Sequence, residues 1–239
     1  MRLPRARFVV GELPARGEAA TLPAAEAAHA RARRLRPGDA VLLCDGSGRE
    51  ARGVVTRMER GNCEIAVEQV AIGAATGPDI VLYVAGARRE RLSWIVEKAT
   101  ELSARRLAVV RTGRTQAFRA SQEGLARLER VARAAAKQCG ASRWPELSGP
   151  HLFARVLEQE RARNRIFLDA SGEPFPPRLP DGGVAILVGP EGGWTDAERT
   201  AARDHGWSSI ALPAGTLRAE TAAIAALVLA RAALTPRKL

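Results

Sequence analysis

Ala185-Ile186-Leu187-Val188-Gly189-Pro190-Glu191-Gly192-Gly193-Trp194-Thr195-Asp196-Ala197-Glu198 decides the fold. Its four leading apolar residues are too few for a freestanding helix and suit a parallel strand covered on both faces. Three glycines then free the backbone, Pro190 fixes one φ, and Thr195 with Glu198 three positions on makes a capping box. A strand, a bare loop and a helix N-terminus thus follow one another. In open α/β sheets ligands bind at such places, because loop amides and the helix start stand exposed at the carboxyl ends of the strands. Glu191 would repel a phosphate there, so the loop points to a cationic or hydroxyl-bearing ligand.

A second unit of the same kind follows. Ser209-Ile210-Ala211-Leu212 reads as a strand, Pro213-Ala214-Gly215 as a turn, and Thr216-Leu217-Arg218-Ala219-Glu220-Thr221-Ala222 as the opening of a last, Ala- and Leu-rich helix. Two such units close in sequence bring two loops together, with room for a flat heterocycle held by backbone groups.

Gly189-Pro190-Glu191-Gly192-Gly193 followed by Leu217-Arg218-x-Glu220-Thr221-Ala222 resembles the paired signature of the bacterial 16S rRNA (uracil-N3)-methyltransferases of the SPOUT class. The resemblance implies an α/β chain: a small N-terminal PUA-like β-barrel, then a SPOUT α/β domain with a C-terminal trefoil knot. It implies S-adenosyl-L-methionine as cofactor, N3 of a specific uridine in 16S rRNA of the small ribosomal subunit as target, and a homodimer. Cofactor contacts carry over to Leu168, Gly189, Glu191, Gly192, Ile210, Leu212, Leu217, Arg218 and Thr221. For the chemistry, a carboxylate, Glu191 or Glu220, takes the N3 proton and Arg218 stabilises the anion; Glu220 reads equally well as a buttress of the helix start. RNA contacts fall on Arg2, Arg5, Arg34, Arg36, Arg88, Arg114 and Arg143. Two positions depart from the family, which usually has Gly at Pro213 and Arg at Gly215. Alternatives are a SPOUT 2′-O-ribose methyltransferase acting on rRNA or tRNA and a non-catalytic RNA-binding protein. A P-loop or dinucleotide enzyme is disfavoured, since neither glycine fingerprint occurs.

Composition agrees with a polyanionic partner. Lys and Arg number 37 against 26 Asp and Glu, a net charge of +11. Cys44, Cys63 and Cys139 are odd in number and widely spaced, and His29, His151 and His205 are scattered, so neither a disulfide framework nor a metal site is expected. With no long apolar run and no signal-like start, the expectation is a cytoplasmic protein without membrane attachment.

The domain reading is residues 1–72 for the barrel, 73–78 for a linker and 79–239 for the methyltransferase domain. In the first, Cys63, Ile65 and Val67 alternate with polar residues, and Asp45-Gly46-Ser47-Gly48 supplies hairpin chemistry. In the last, strands are expected at 80–84, 107–110, 166–168, 185–188 and 209–212, with helices between them, including one over 151–163. The helix over 121–138 sets Leu125, Leu128, Val131, Ala132 and Ala135 inward. Arg127, Arg130, Arg133 and Lys137 form a basic stripe on its other face, suited to a nucleic-acid backbone. The final helix is apolar around most of its circumference and needs cover on all sides.

Overall fold

The computed structural model describes residues 4–59, 61–73, 77–115 and 122–234. The chain divides into two compact units, one of Met1–Ala75 with Arg133–Trp144, the other of Thr76–Ala132 with Pro145–Leu239.

The first unit contains β1 (Ala6–Val9), β2 (Ala19–Thr21), α1 (Ala24–Ala32), β3 (Ala40–Cys44), β4 (Arg49–Glu59) and β5 (Asn62–Ile72). They form one sheet in the order β1-β3-β4-β5-β2, antiparallel except for the β1–β3 pair. Cys63, Ile65 and Val67 point into its core beside Phe8 and Leu43, as the alternation predicts. Gly46 and Gly48 turn the β3–β4 hairpin with φ of 87° and 93°, values open to glycine and strained for other residues. β2 is not expected from the sequence, and of β4 only the hairpin turn that leads into it is. β4 hides its signal behind charged outward residues and Gly53, which permits a register shift where an added Cβ would lie 2.5 Å from the Ala66 carbonyl.

Residues 133–144, far away in sequence, complete this unit. Lys137 pairs with Glu26 at 2.8 Å, Arg143 donates to the Ser47 carbonyl at 2.8 Å, and the Trp144 indole covers Gly46.

The second unit is a six-stranded parallel sheet in the order β11-β9-β10-β6-β7-β8. Its elements are β6 (Ile80–Ala85), α2 (Arg89–Glu101), β7 (Arg106–Arg111), α3 (Gln122–Cys139, whose last turns belong to the first unit), β8 (Glu146–Leu152), α4 (Phe153–Gln159), β9 (Asn164–Pro174), β10 (Val184–Val188), α5 (Asp196–Asp204), β11 (Ser208–Ala211) and α6 (Ala219–Leu234). The two all-apolar runs, β6 and β10, are buried along their whole lengths at the centre, which is what strands covered on both faces require.

The helix expected over 151–163 is corrected. It spans only Phe153–Gln159, because β8 runs to Leu152 and Glu160 is already extended. β8 escapes a sequence reading because it contains Gly149 and Pro150. It tolerates them as an edge strand with an irregular register opposite Val109. In α3, Leu128, Ala132 and Ala135 are buried, while Leu125 and Val131 are half-buried.

One irregularity shapes the carboxyl end of the sheet. Along β11 the partner on β9 jumps from Phe167, opposite Ser209, to Glu173, opposite Ile210. Residues 168–172 therefore leave that ladder. Gly172 makes the jump possible, since an added Cβ would lie 2.5 Å from the Ile210 nitrogen.

Candidate active site

Beyond the carboxyl ends of β9, β10 and β11 lies a cleft of about 510 Å³. Three stretches enclose it: the displaced Leu168-Asp169-Ala170, the loop from Gly189 to Trp194, and the loop from Leu212 to Ala219. The sequence brings the last two together as expected. The first comes from the register jump, which no periodicity encodes.

The loop after β10 is held at both ends. Gly193 takes φ 69° and donates its N–H to the Pro190 carbonyl at 2.9 Å, closing a turn. The expected capping box is present: the Glu198 N–H donates to Thr195 Oγ1 at 3.2 Å, and Glu198 Oε2 accepts from the Thr195 N–H at 2.9 Å. The other Glu198 oxygen accepts from the Gly113 N–H at 2.8 Å, tying α5 to the segment after β7. Trp194 is buried, stacks on Phe167 with centroids 4.4 Å apart, and donates to the Leu168 carbonyl at 2.8 Å. The indole stands so close that a Cβ on Gly189 would lie 2.8 Å from it. Gly189 is thus required for this packing as well as for an open backbone.

The charged groups divide into engaged and free. Asp169 accepts from Arg199 Nε at 2.6 Å and from the Ser171 N–H at 3.0 Å. Burial pushes its pKa upward, but the Ser171 amide and the Arg199 guanidinium outweigh that effect and hold it below the ordinary 3.8. Arg199 also donates to the Trp194 carbonyl at 3.0 Å. Glu191 is in an ion pair with Arg91, and Arg91 Nε lies 3.6 Å from Glu220 Oε1. The second Glu220 oxygen is buried without a hydrogen-bond partner. Arg218 is exposed on the cleft wall and its side chain makes no ion pair among the described residues.

Of the expected cofactor residues, Leu168, Gly189, Glu191, Ile210, Leu212, Leu217 and Arg218 line the cleft. Gly192 and Thr221 do not; Gly192 instead offers its carbonyl to Arg114 at 2.8 Å. Arg91, Asp169, Trp194 and Arg199 line it without having been anticipated. Arg91 and Arg199 come from helices whose sequences look like ordinary charged surface. Asp169 had a signal, since it directly follows the predicted 166–168 strand.

The arginines expected at RNA are spread over both units. Arg2 lies outside the described residues. Arg5 pairs with Asp39 at 2.8 Å, and Arg34, at φ 54°, takes the left-handed conformation that ends α1. Arg36 and Arg88 are exposed. Arg114 is bonded to the loop after β10 and Arg143 to the β3–β4 hairpin. In the α3 stripe, Lys137 is spent on Glu26 and Arg133 lies over the Trp144 ring at 5.5 Å. Among the described residues no helix is long and apolar enough to cross a membrane.

A parallel α/β sheet with a two-loop cleft beyond the carboxyl ends of its strands defines the class of ligand-binding α/β domains. Residues 75–231 match the model of the RNA methyltransferase domain, and residues 22–68 that of the RNA methyltransferase PUA domain. The chain belongs to the family of the ribosomal RNA small subunit methyltransferase E proteins, being 32% identical over 234 residues to the one from Mycobacterium tuberculosis, with 92% of this chain and 88% of that one covered. The crystal structure of ribosomal RNA small subunit methyltransferase E from Neisseria gonorrhoeae bound to S-adenosyl methionine is similar with a TM-score of 0.81 at 25% identity, covering 93% of this chain and 95% of that one. A Legionella pneumophila structure in complex with bound cofactor SAM is similar at the same score and identity, covering 95% and 97%.

Proposed function

We propose that this protein transfers the methyl group of S-adenosylmethionine to N3 of a uridine in 16S rRNA of the small ribosomal subunit, U1498 in the family's naming. The observation that carries the reading is the cleft itself, built from two loops of the family's signature and sized for a nucleoside-like ligand. Its walls suit such a group. Leu168, Val188, Ile210, Leu212, Leu217 and Ala222 give apolar surface for a flat ring, and the Gly- and Pro-rich loops leave backbone groups free for its edge.

The cofactor's sulfonium supplies an already activated methyl group. The residues of this chain then align the acceptor and raise the nucleophilicity of uracil N3, which bears a proton between two carbonyls. Arg218, unpaired at the cleft wall, meets the negative charge that spreads onto the uracil oxygens. A carboxylate oxygen of Glu220 or Glu191 accepts the N3 proton. Glu191 lines the cleft, whereas Glu220 does not and keeps Oε2 buried, which supports Glu191 as the acceptor and Glu220 as a buttress of the helix start.

Residues 1–72 hold the RNA through Arg2, Arg5, Arg34 and Arg36. Residues 79–239 apart from 133–144, after the 73–78 linker, carry the chemistry, with Arg88 and Arg114 there and Arg143 in the first unit assigned to RNA. Trp94 on α2 and Val228 on α6, 41% and 47% exposed, are apolar surface suited to a homodimer contact. A ribosomal substrate implies work in the cytoplasm. Mass spectrometry of nucleosides from small subunits treated with the protein and S-adenosylmethionine tests the reaction. N3-methyluridine is expected; a 2′-O-methyl product or no product refutes the assignment.

A further inference from the structure

Arg91 stands where three elements meet. It is in the first turn of α2, and its guanidinium reaches Glu191 in the loop after β10 and Glu220 at the start of α6. The first turn of a helix is an unfavourable place for a cation, because the macrodipole is positive there. Helix stability therefore does not account for an arginine at this position, and the two carboxylates do. Its side chain is only 26% exposed and that of Glu220 14%, so the Glu220 contact is shielded from solvent more than an ordinary surface pair. Arg91 meets both carboxylates, pairing with Glu191 and placing Nε 3.6 Å from Glu220 Oε1, while Glu220 Oε2 stays buried and unpartnered. A buried carboxylate oxygen without a partner is costly, and a nearby guanidinium offsets part of that cost.

We propose that Arg91 is a positioning residue for methyl transfer: lining the cleft itself, it ties Glu191 in the loop after β10 to Glu220 in the first turn of α6 and so fixes the wall between them. This rests on the methyltransferase reading above and adds to it a residue about a hundred positions from either partner in the case of Glu191 and more for Glu220. Arg91 itself does not exchange a proton. It determines where the two carboxylates stand before the ligands enter, which is a preorganising role.

The test is steady-state kinetics on small subunits with S-adenosylmethionine varied, for wild type, Arg91→Ala, Arg91→Lys, Glu220→Ala and the Arg91→Ala/Glu220→Ala double variant, with Tm measured for each. Arg91→Ala should lower kcat about tenfold or more and raise KM for the methyl donor. Arg91→Lys, which keeps the charge but not the fork, should recover part of the loss. In the Glu220→Ala background the Arg91 change should cost less than in wild type but not vanish, because the Glu191 contact remains. If Arg91→Ala only lowers Tm while kcat and KM stay at wild-type values, or if the two changes are fully additive, the proposal is overturned. Should Arg91→Ala fail to fold, Arg91→Lys in the wild-type and Glu220→Ala backgrounds carries the same comparison. A wild-type protein that transfers no methyl refutes the underlying function instead, so the two failures are distinguishable.

Discussion

The two loops that face each other across the cleft are built on opposite principles. The one after β10 is fastened by a Gly193 turn, a capping box, the Trp194 to Leu168 bond and carbonyl contacts from Arg114 and Arg199. The one after β11 has residues 213–216 exposed and one short backbone bond, from the Ala214 N–H to the Leu212 carbonyl at 2.7 Å. That bond closes a γ-turn around Pro213, whose fixed φ suits it. One side of the site is thus set before any ligand arrives, and the other is left to adjust around it. Rigid surroundings fix the geometry of a reaction, while an adaptable loop admits and releases the ligands.

This contrast can be broken at Trp194 with the largest effect. Trp194→Ala should cost about 3–5 kcal/mol of stability through lost burial and a cavity, read as a fall in Tm, whereas no substitution in 213–216 should approach that. Arg218→Ala sharpens the contrast from the other side. It should reduce kcat by about 10²–10³-fold, as losing one preorganised charge-stabilising group does, with Tm unchanged and RNA affinity less affected than transfer. Equal losses of transfer and RNA binding would make Arg218 a docking residue.

Smaller effects probe the fastening itself. Thr195→Ala removes the cap of α5 and should cost about 1 kcal/mol in denaturant unfolding. Asp169 gives a pH signature: its carboxyl is held below 3.8, so its contribution is complete above that value and fades as the pH falls through the lower folded one. Below 3.8 wild type should therefore lose stability as the pH falls, as the carboxylate of the pair is protonated. Asp169→Asn should flatten that part of the stability profile by about 0.5–1 kcal/mol, a modest figure because Arg199 is 35% exposed. Gly215→Ala should change stability by less than about 0.5 kcal/mol, since its added Cβ meets nothing within 4 Å.

The same contrast separates what the sequence made legible from what it did not. The buried strand, the glycine loop and the Thr195–Glu198 cap are local and stand in consecutive residues. β6 and β10 are equally plain, because a strand covered on both faces shows an unbroken apolar run. β4 and β8 were hidden, the first by outward charges and Gly53, the second by Gly149 and Pro150 at a sheet edge. The cleft's third wall depends on a register jump between β9 and β11, set by backbone packing at Gly172 and not by side-chain period. Arg91 and Arg199 were illegible for a related reason: each meets partners on another element, and a charged residue on a helix carries no mark of what it reaches. Residues 133–144 joined the first unit through long-range pairs such as Lys137–Glu26, which composition cannot show.

Isothermal titration of the purified protein with S-adenosylmethionine tests the central claim most directly, because everything above depends on the two loops forming a site for that donor. Saturable heat at one ligand per chain, lost in Trp194→Ala under conditions where that variant remains folded, is the predicted result. No heat from folded wild-type protein at millimolar donor would contradict it.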